Sequence, residues 1–198
     1  MNDGDSTTAP NGLHEVWLRG NIRVAGILGA IAVLLDGGAL GAVLMAMNEG
    51  GESAAWWAVA ASAAAAASGL MLLAWASARP RLVQQGDSLL VQVSPLQRRA
   101  VPLDVIECFF PGSNPLDADG SPTCGEHARF RVGTLVIRLA ERAVDYRSGD
   151  TFPPWSTWID SYLVLDGRWC EPLSPDLVKR LSSRLVAAKR AAAGGAGG

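Results

Sequence analysis

Residues 24–47 read VAGILGAIAVLLDGGALGAVLMAM, and residues 54–78 read AAWWAVAASAAAAASGLMLLAWASA. The two stretches carry one charge between them, Asp36. A bilayer core of about 30 Å needs roughly 20 apolar residues in a helix, and each stretch is long enough. Between them lies the short polar link Asn48-Glu49-Gly50-Gly51-Glu52-Ser53, which predicts an antiparallel helical hairpin. Small residues four apart (Ala25/Gly29, Gly37/Gly41, Gly38/Ala42) predict close approach of helix backbones. The Ala-rich start of the second stretch offers a similarly smooth face.

A hairpin buried inside a soluble protein would have similar hydropathy. The flanks favour a membrane. Arg19, Arg23, Arg79 and Arg81 lie at one end, whereas the link has Glu49 and Glu52. That asymmetry predicts both termini on the cytoplasmic side. Trp17 and Trp75 are expected at the basic interface, and Trp56 and Trp57 at the other, because indoles favour headgroup depth. The first apolar run is too long for a signal-peptide core, and no small-x-small cleavage site follows it cleanly.

The 198 residues are 49% hydrophobic and 18% charged, with a net charge of −2. These averages mix an apolar hairpin with a charged remainder. They exclude a uniform globular domain, a disordered chain and a disulfide scaffold. The absence of a basic excess speaks against a nucleic-acid partner. The expected partners are the lipid bilayer and a protein, either a different chain or a second copy through the Gly/Ala-rich hairpin.

Residues 1–18 read as a loose tail and 19–79 as the hairpin. Beyond residue 80 the pattern becomes short strands separated by turn residues. Gly86-Asp87 signals a hairpin turn, and residues 88–94 alternate with Leu89, Val91 and Val93 on one face. Strands are expected at 81–85, 98–103, 105–110 and 129–139, with a bulge at Gly133 where the apolar phase switches. Residues 111–128 read as a long loop and 140–156 as irregular. Further strands are expected at 157–159 and 161–169. Ser174, Pro175 and Asp176 then suit a helix start. That helix, 175–192, puts Leu177, Val178, Leu181 and Leu185 on one face. Residues 193–198 read as a frayed tail.

The fold class is therefore a membrane α-hairpin plus a mainly-β (α+β) domain over residues 80–192. The hairpin, the stretches PRLVQQGDSLLVQVS and VPLDVIECFF, and the final helix resemble bacterial two-helix membrane proteins with a pleckstrin-homology-like domain. The resemblance implies a small antiparallel barrel capped by the terminal helix and an inner-membrane location. It also implies seven strands where about six are visible, the missing one falling in 111–128 or 140–156. VIECFF, LVIRLAERA and RWCEPL resemble an uncharacterised planctomycete membrane family, which implies no activity.

No catalytic set emerges. Gly86-Asp87-Ser88-Leu89 spells an esterase signature, but His14 and His127 both lack the Asp-x-x-His that supplies the base. A hairpin turn explains it better. Cys108, Cys124, His127 and Cys170 are four conceivable zinc ligands, yet they lack paired Cys-x-x-Cys knuckles. Reduced structural thiols are the expectation, with no metal and no cofactor. Arg98 and Arg99 are placed to meet anionic headgroups or to line a solvated turn. Trp155 and Trp158 are either partner anchors or core. Asp36 costs about 3 kcal/mol in a span. It reads as a relay or helix contact, or as a protonated carboxyl bonded to Ser62, Ser68 or a backbone carbonyl. The leading expectation is a non-enzymatic membrane scaffold. The alternative is a subunit of an oligomeric membrane enzyme or transporter using Asp36.

Overall fold

The computed structural model describes residues 15–48, 54–116 and 130–195. Two helices, α1 (Ile22–Asn48) and α2 (Ala54–Ala78), pack against each other. Their mean hydropathies over 18 residues are 2.1 and 1.7, long and apolar enough to cross a membrane. Only 17% of each window is buried, so neither is the core helix of a soluble protein. The 27 residues of α1 span about 40 Å.

The seam is built differently from the expected Gly spacing. Ala32, Ala39 and Ala46 recur every seventh residue on α1, and Ala60, Ala67 and Ala74 do so on α2, all buried. A seven-residue repeat keeps one stripe facing the partner helix, and methyl-sized knobs let the helices approach closely. A Cβ added at Gly29, Gly37, Gly38 or Gly41 would meet nothing within 4 Å. The glycines therefore stand outside the seam. Glu49 and Glu52 lie outside the described residues.

Two antiparallel sheets follow an α+β layout. The first has the order β1 (Glu15–Leu18), β2 (Leu82–Gln85), β3 (Ser88–Gln92), β4 (Arg98–Pro102). The second has the order β5 (Ile106–Leu116), β6 (Phe130–Leu139), β8 (Tyr162–Asp166), β7 (Ser156–Ile159). Helix α3 (Pro175–Gly195) completes the chain. One core joins both sheets and the helix: Trp17, Leu82, Leu89, Val91, Phe109, Leu135, Ile137, Trp158, Leu163, Leu177 and Leu181 are all buried in it. Ser174 Oγ accepts the Leu177 amide at 3.2 Å, the expected cap. Arg184 ties α3 to β1 through Glu15 at 3.3 Å and the Val16 carbonyl at 3.2 Å. The two sheets are separate four-stranded units, so the expected barrel is not closed.

Several expectations change. Glu15–Leu18, placed in the tail, is a strand, with Val16 opposite Val83. This strand precedes the hairpin, and residues 117–128 of the stretch expected to hide a strand lie outside the described residues. Residues 111–116, read as loop, continue β5, whose edge position tolerates Pro111 and Pro115. Gly133 pairs with Ser113 in regular register, and the irregularity lies between Ile106 and Cys108. Trp17 is 2% exposed, stacked edge-on against Phe109 at 6.2 Å, and is no interface anchor.

The whole helical hairpin is an insertion between β1 and β2, adjacent antiparallel strands. Gly20, at the foot of the first leg, packs against the backbone of the second. A Cβ there would lie 2.1 Å from the Ser77 carbonyl oxygen and 2.5 Å from that of Arg79. Backbone oxygens cannot swing aside, so Gly20→Ala should destabilise the protein by about 1–3 kcal/mol. Gly69→Ala, which meets open space in α2, should be neutral or stabilise by up to about 1 kcal/mol. Denaturant unfolding in detergent micelles checks both.

Candidate functional site

The neck between hairpin and sheets holds the densest polar network. Asn21 caps α1, its Oδ1 accepting from the Arg23 and Val24 amides at 3.1 and 3.3 Å. Its own amide donates to the Trp169 carbonyl at 3.2 Å, and its Nδ2 to the Arg168 carbonyl at 2.8 Å. Gly20 bridges to Cys170. Arg19 and Glu171 exchange two bonds: the Arg19 amide donates to Glu171 Oε1 at 2.8 Å, and the Glu171 amide to the Arg19 carbonyl at 3.1 Å.

The second leg arrives through Arg81. Its amide donates to the Leu18 carbonyl at 2.9 Å, and its Nε to the Trp169 carbonyl at 2.9 Å. The Trp169 carbonyl thus takes one bond from each leg. The Arg81 guanidinium lies 3.6 Å over the Trp155 ring, which stacks on Trp169 at 5.0 Å. Arg81 is only 2% exposed. Burial pushes its pKa down to about 10, partly opposed by Cys170 and Asp166. Sequence reading placed Arg81 at the membrane flank, but it belongs to the domain interior. The expected strand at 81–85 already carried the signal, since it makes Arg81 the first residue of that strand as well as a flank.

The predicted site residues separate. Trp155 and Trp158 are buried, and Trp158 Nε1 donates to the Tyr146 carbonyl at 2.9 Å, so neither is a partner anchor. Asp36 is exposed on α1 with no hydrogen bond or ion pair among the described residues. Ser62 and Ser68 donate instead to Ala58 and Ala64 of their own helix, at 2.7 and 2.8 Å. Arg98 and Arg99 are exposed where β4 begins. Burial first, then neighbouring Arg79, lowers the pKa of Arg98. Cys108 is exposed on β5 and Cys170 is buried at the neck, both free thiols. Cys124 and His127 lie outside the described residues. Among the described residues no group of three or more His, Cys, Asp or Glu could hold a metal. Gly86 has φ +56°, so Gly86-Asp87 is the β2–β3 turn and Ser88 opens β3.

The outer face of the second sheet is the apolar surface that sequence reading missed. Phe110, Val164 and Tyr162 alternate with the core residues of β5 and β8 on this face, over the buried Val136 and beside Arg138, which pairs with Glu107. Ile159 is 59% exposed beside Tyr162, which meets Phe110 edge-on at 6.3 Å. No family model, curated protein or solved structure matches this chain.

Arg81→Lys should cost roughly 2 kcal/mol, because an ammonium lacks the planar fork that stacks and bonds together. Unfolding in detergent reads this. Burial pushes the Cys170 thiol up to about 12. A raised folded pKa means Cys170 stays protonated where an ordinary thiol ionises, near about 8.5. Alkylation followed by mass spectrometry should therefore modify Cys108 at neutral pH. Cys170 should react only after denaturation, and mildly alkaline pH should not release it.

Proposed function

We propose that the chain is an integral membrane protein of the bacterial inner membrane, both termini cytoplasmic, holding a non-enzymatic, pleckstrin-homology-like domain as a scaffold for a protein partner. The observation that carries this reading is the insertion of an apolar hairpin between two paired strands. A sheet interrupted by its own anchor keeps a fixed pose. A fixed pose suits a surface offered to another protein. Two facing sheets with α3 against their shared core support the pleckstrin-homology-like reading. The partner face is the outer side of the second sheet, around Phe110, Ile159 and Tyr162, where aromatic and aliphatic groups lie together.

A second reading rests on Asp36. An exposed, unpartnered carboxyl in an apolar helix is costly in lipid and marks a helix contact or a proton site. It supports a subunit of an oligomeric membrane enzyme or transporter.

Affinity capture of the tagged, detergent-extracted protein separates the two. Ile159→Arg with Tyr162→Asp should lose the partner by about 10-fold or more, and Asp36→Leu should keep it. Loss on Asp36→Leu alone, with a shift in oligomer size, would favour the second reading. Release of the chain from membranes by alkaline carbonate would overturn both.

A further inference from the structure

The end of the first sheet facing the hairpin combines exposed apolar tips with unneutralised arginines. Chain direction puts the β3–β4 turn there. β2 leaves the hairpin, β3 returns, and the Gln92 amide bonds the Arg81 carbonyl at 2.9 Å. The turn is held rigidly. Gln92 Nε2 donates to the Pro95 carbonyl at 3.1 Å, the Gln97 amide to Ser94 Oγ at 3.0 Å, and the Val93 amide to the Gln97 carbonyl at 3.2 Å. This frame projects Leu96, which is 75% exposed. Phe152, 44% exposed, stands alongside because its amide bonds the Val93 carbonyl at 3.2 Å. Arg79, close enough to perturb Arg98, lies 4.0 Å over the exposed Trp75 ring.

Charge is distributed to match. Arg19, Arg23, Arg79, Arg98 and Arg99 form no ion pair among the described residues. At the neck the Glu171 carboxylate is engaged by the Arg19 amide. Asp87 and Asp104, by contrast, line a groove at the opposite end of the sheet with Arg142 and Lys189. An apolar tip with Arg98 and Arg99 next along the chain and Arg79 near Arg98, outnumbering the exposed Asp150 beside Phe152, suits the interfacial layer of an anionic bilayer.

We propose that this end of the β domain docks on anionic phospholipid headgroups. Leu96 and Phe152 enter the interface, and Arg79, Arg98 and Arg99 take the phosphates. The domain then rests on the bilayer on one side of its hairpin. The inference relies on the membrane reading above, and its test is built to fail separately.

Full-length protein with Cys108→Ser and Cys124→Ser carries an environment-sensitive fluorophore at Gln97→Cys, or at Asp87→Cys as the far-end control. It is incorporated into vesicles of phosphatidylcholine alone, or of phosphatidylcholine with phosphatidylglycerol. Each arginine at an anionic surface biases docking about five-fold. The label at 97 should therefore shift to the blue and lose about five-fold or more of its quenching by neutral aqueous acrylamide in the anionic vesicles. The label at 87 should not change. Arg98→Glu with Arg99→Glu, or Leu96→Ser, should restore quenching. Equal quenching at 97 in both lipids overturns docking. So does the same shift produced in phosphatidylcholine by inorganic phosphate, which would point to a soluble anion. Failure to enter vesicles at all overturns the membrane reading and this inference with it.

Discussion

The carbonyl oxygen of Trp169 is the point on which the two halves of the molecule meet. It accepts from Asn21, at the foot of α1, and from Arg81, just past the foot of α2. The Arg81 charge is costly to bury, as its lowered pKa shows. Stacking on Trp155 and a bond along its planar edge offset that cost, a combination open to a guanidinium and closed to an ammonium. Because the same oxygen serves both legs, a tilt of the hairpin away from the sheets strains bonds from both sides of the neck at once.

What was legible in the sequence was local. The apolar stretches, the Ser174 cap and the Gly86-Asp87 turn depend on residues within a few positions of one another. β1 could not be read that way. It is four residues long, and its partner strand lies on the far side of the hairpin, with Glu15 opposite Gln84. Trp17 and Arg81 suited a membrane flank equally well, and only the β1–β2 pairing puts them indoors. The Pro-Gly-Ser-Asn-Pro stretch looked like a loop because its residues favour turns. An edge position in the sheet overrides that preference, and its prolines also block further strand pairing.

The candidate surfaces were half legible for the same reason. Arg98 and Arg99 stand out as a basic pair in any reading. That Leu96, Phe152 and Arg79 surround them follows from strand direction and from one backbone bond to Val93, neither visible in composition. The seam of the hairpin shows the converse. Glycines attract attention as close-packing residues, yet the helices meet on alanines spaced seven apart, leaving the glycines and Asp36 on exposed sides. Cys108 and Cys170 are an exposed thiol and a buried one, which isolated positions in strand-like sequence could not distinguish.

The stiffness of the neck bears on which functional reading fits better. Six hydrogen bonds join residues 19–21 and Arg81 to Leu18 or to residues 168–171. At a net of about 1 kcal/mol each, a rocking motion that opened half of them would cost several kcal/mol. A transporter subunit needs two arrangements of its helices close in energy. With its feet locked into a sheet, this hairpin could supply such states only by moving as a unit against another chain. Asp36, exposed and unpartnered near mid-span, is placed for that kind of contact. Motion within one copy is disfavoured, which supports the proposed reading of the chain as a fixed mount for its β domain.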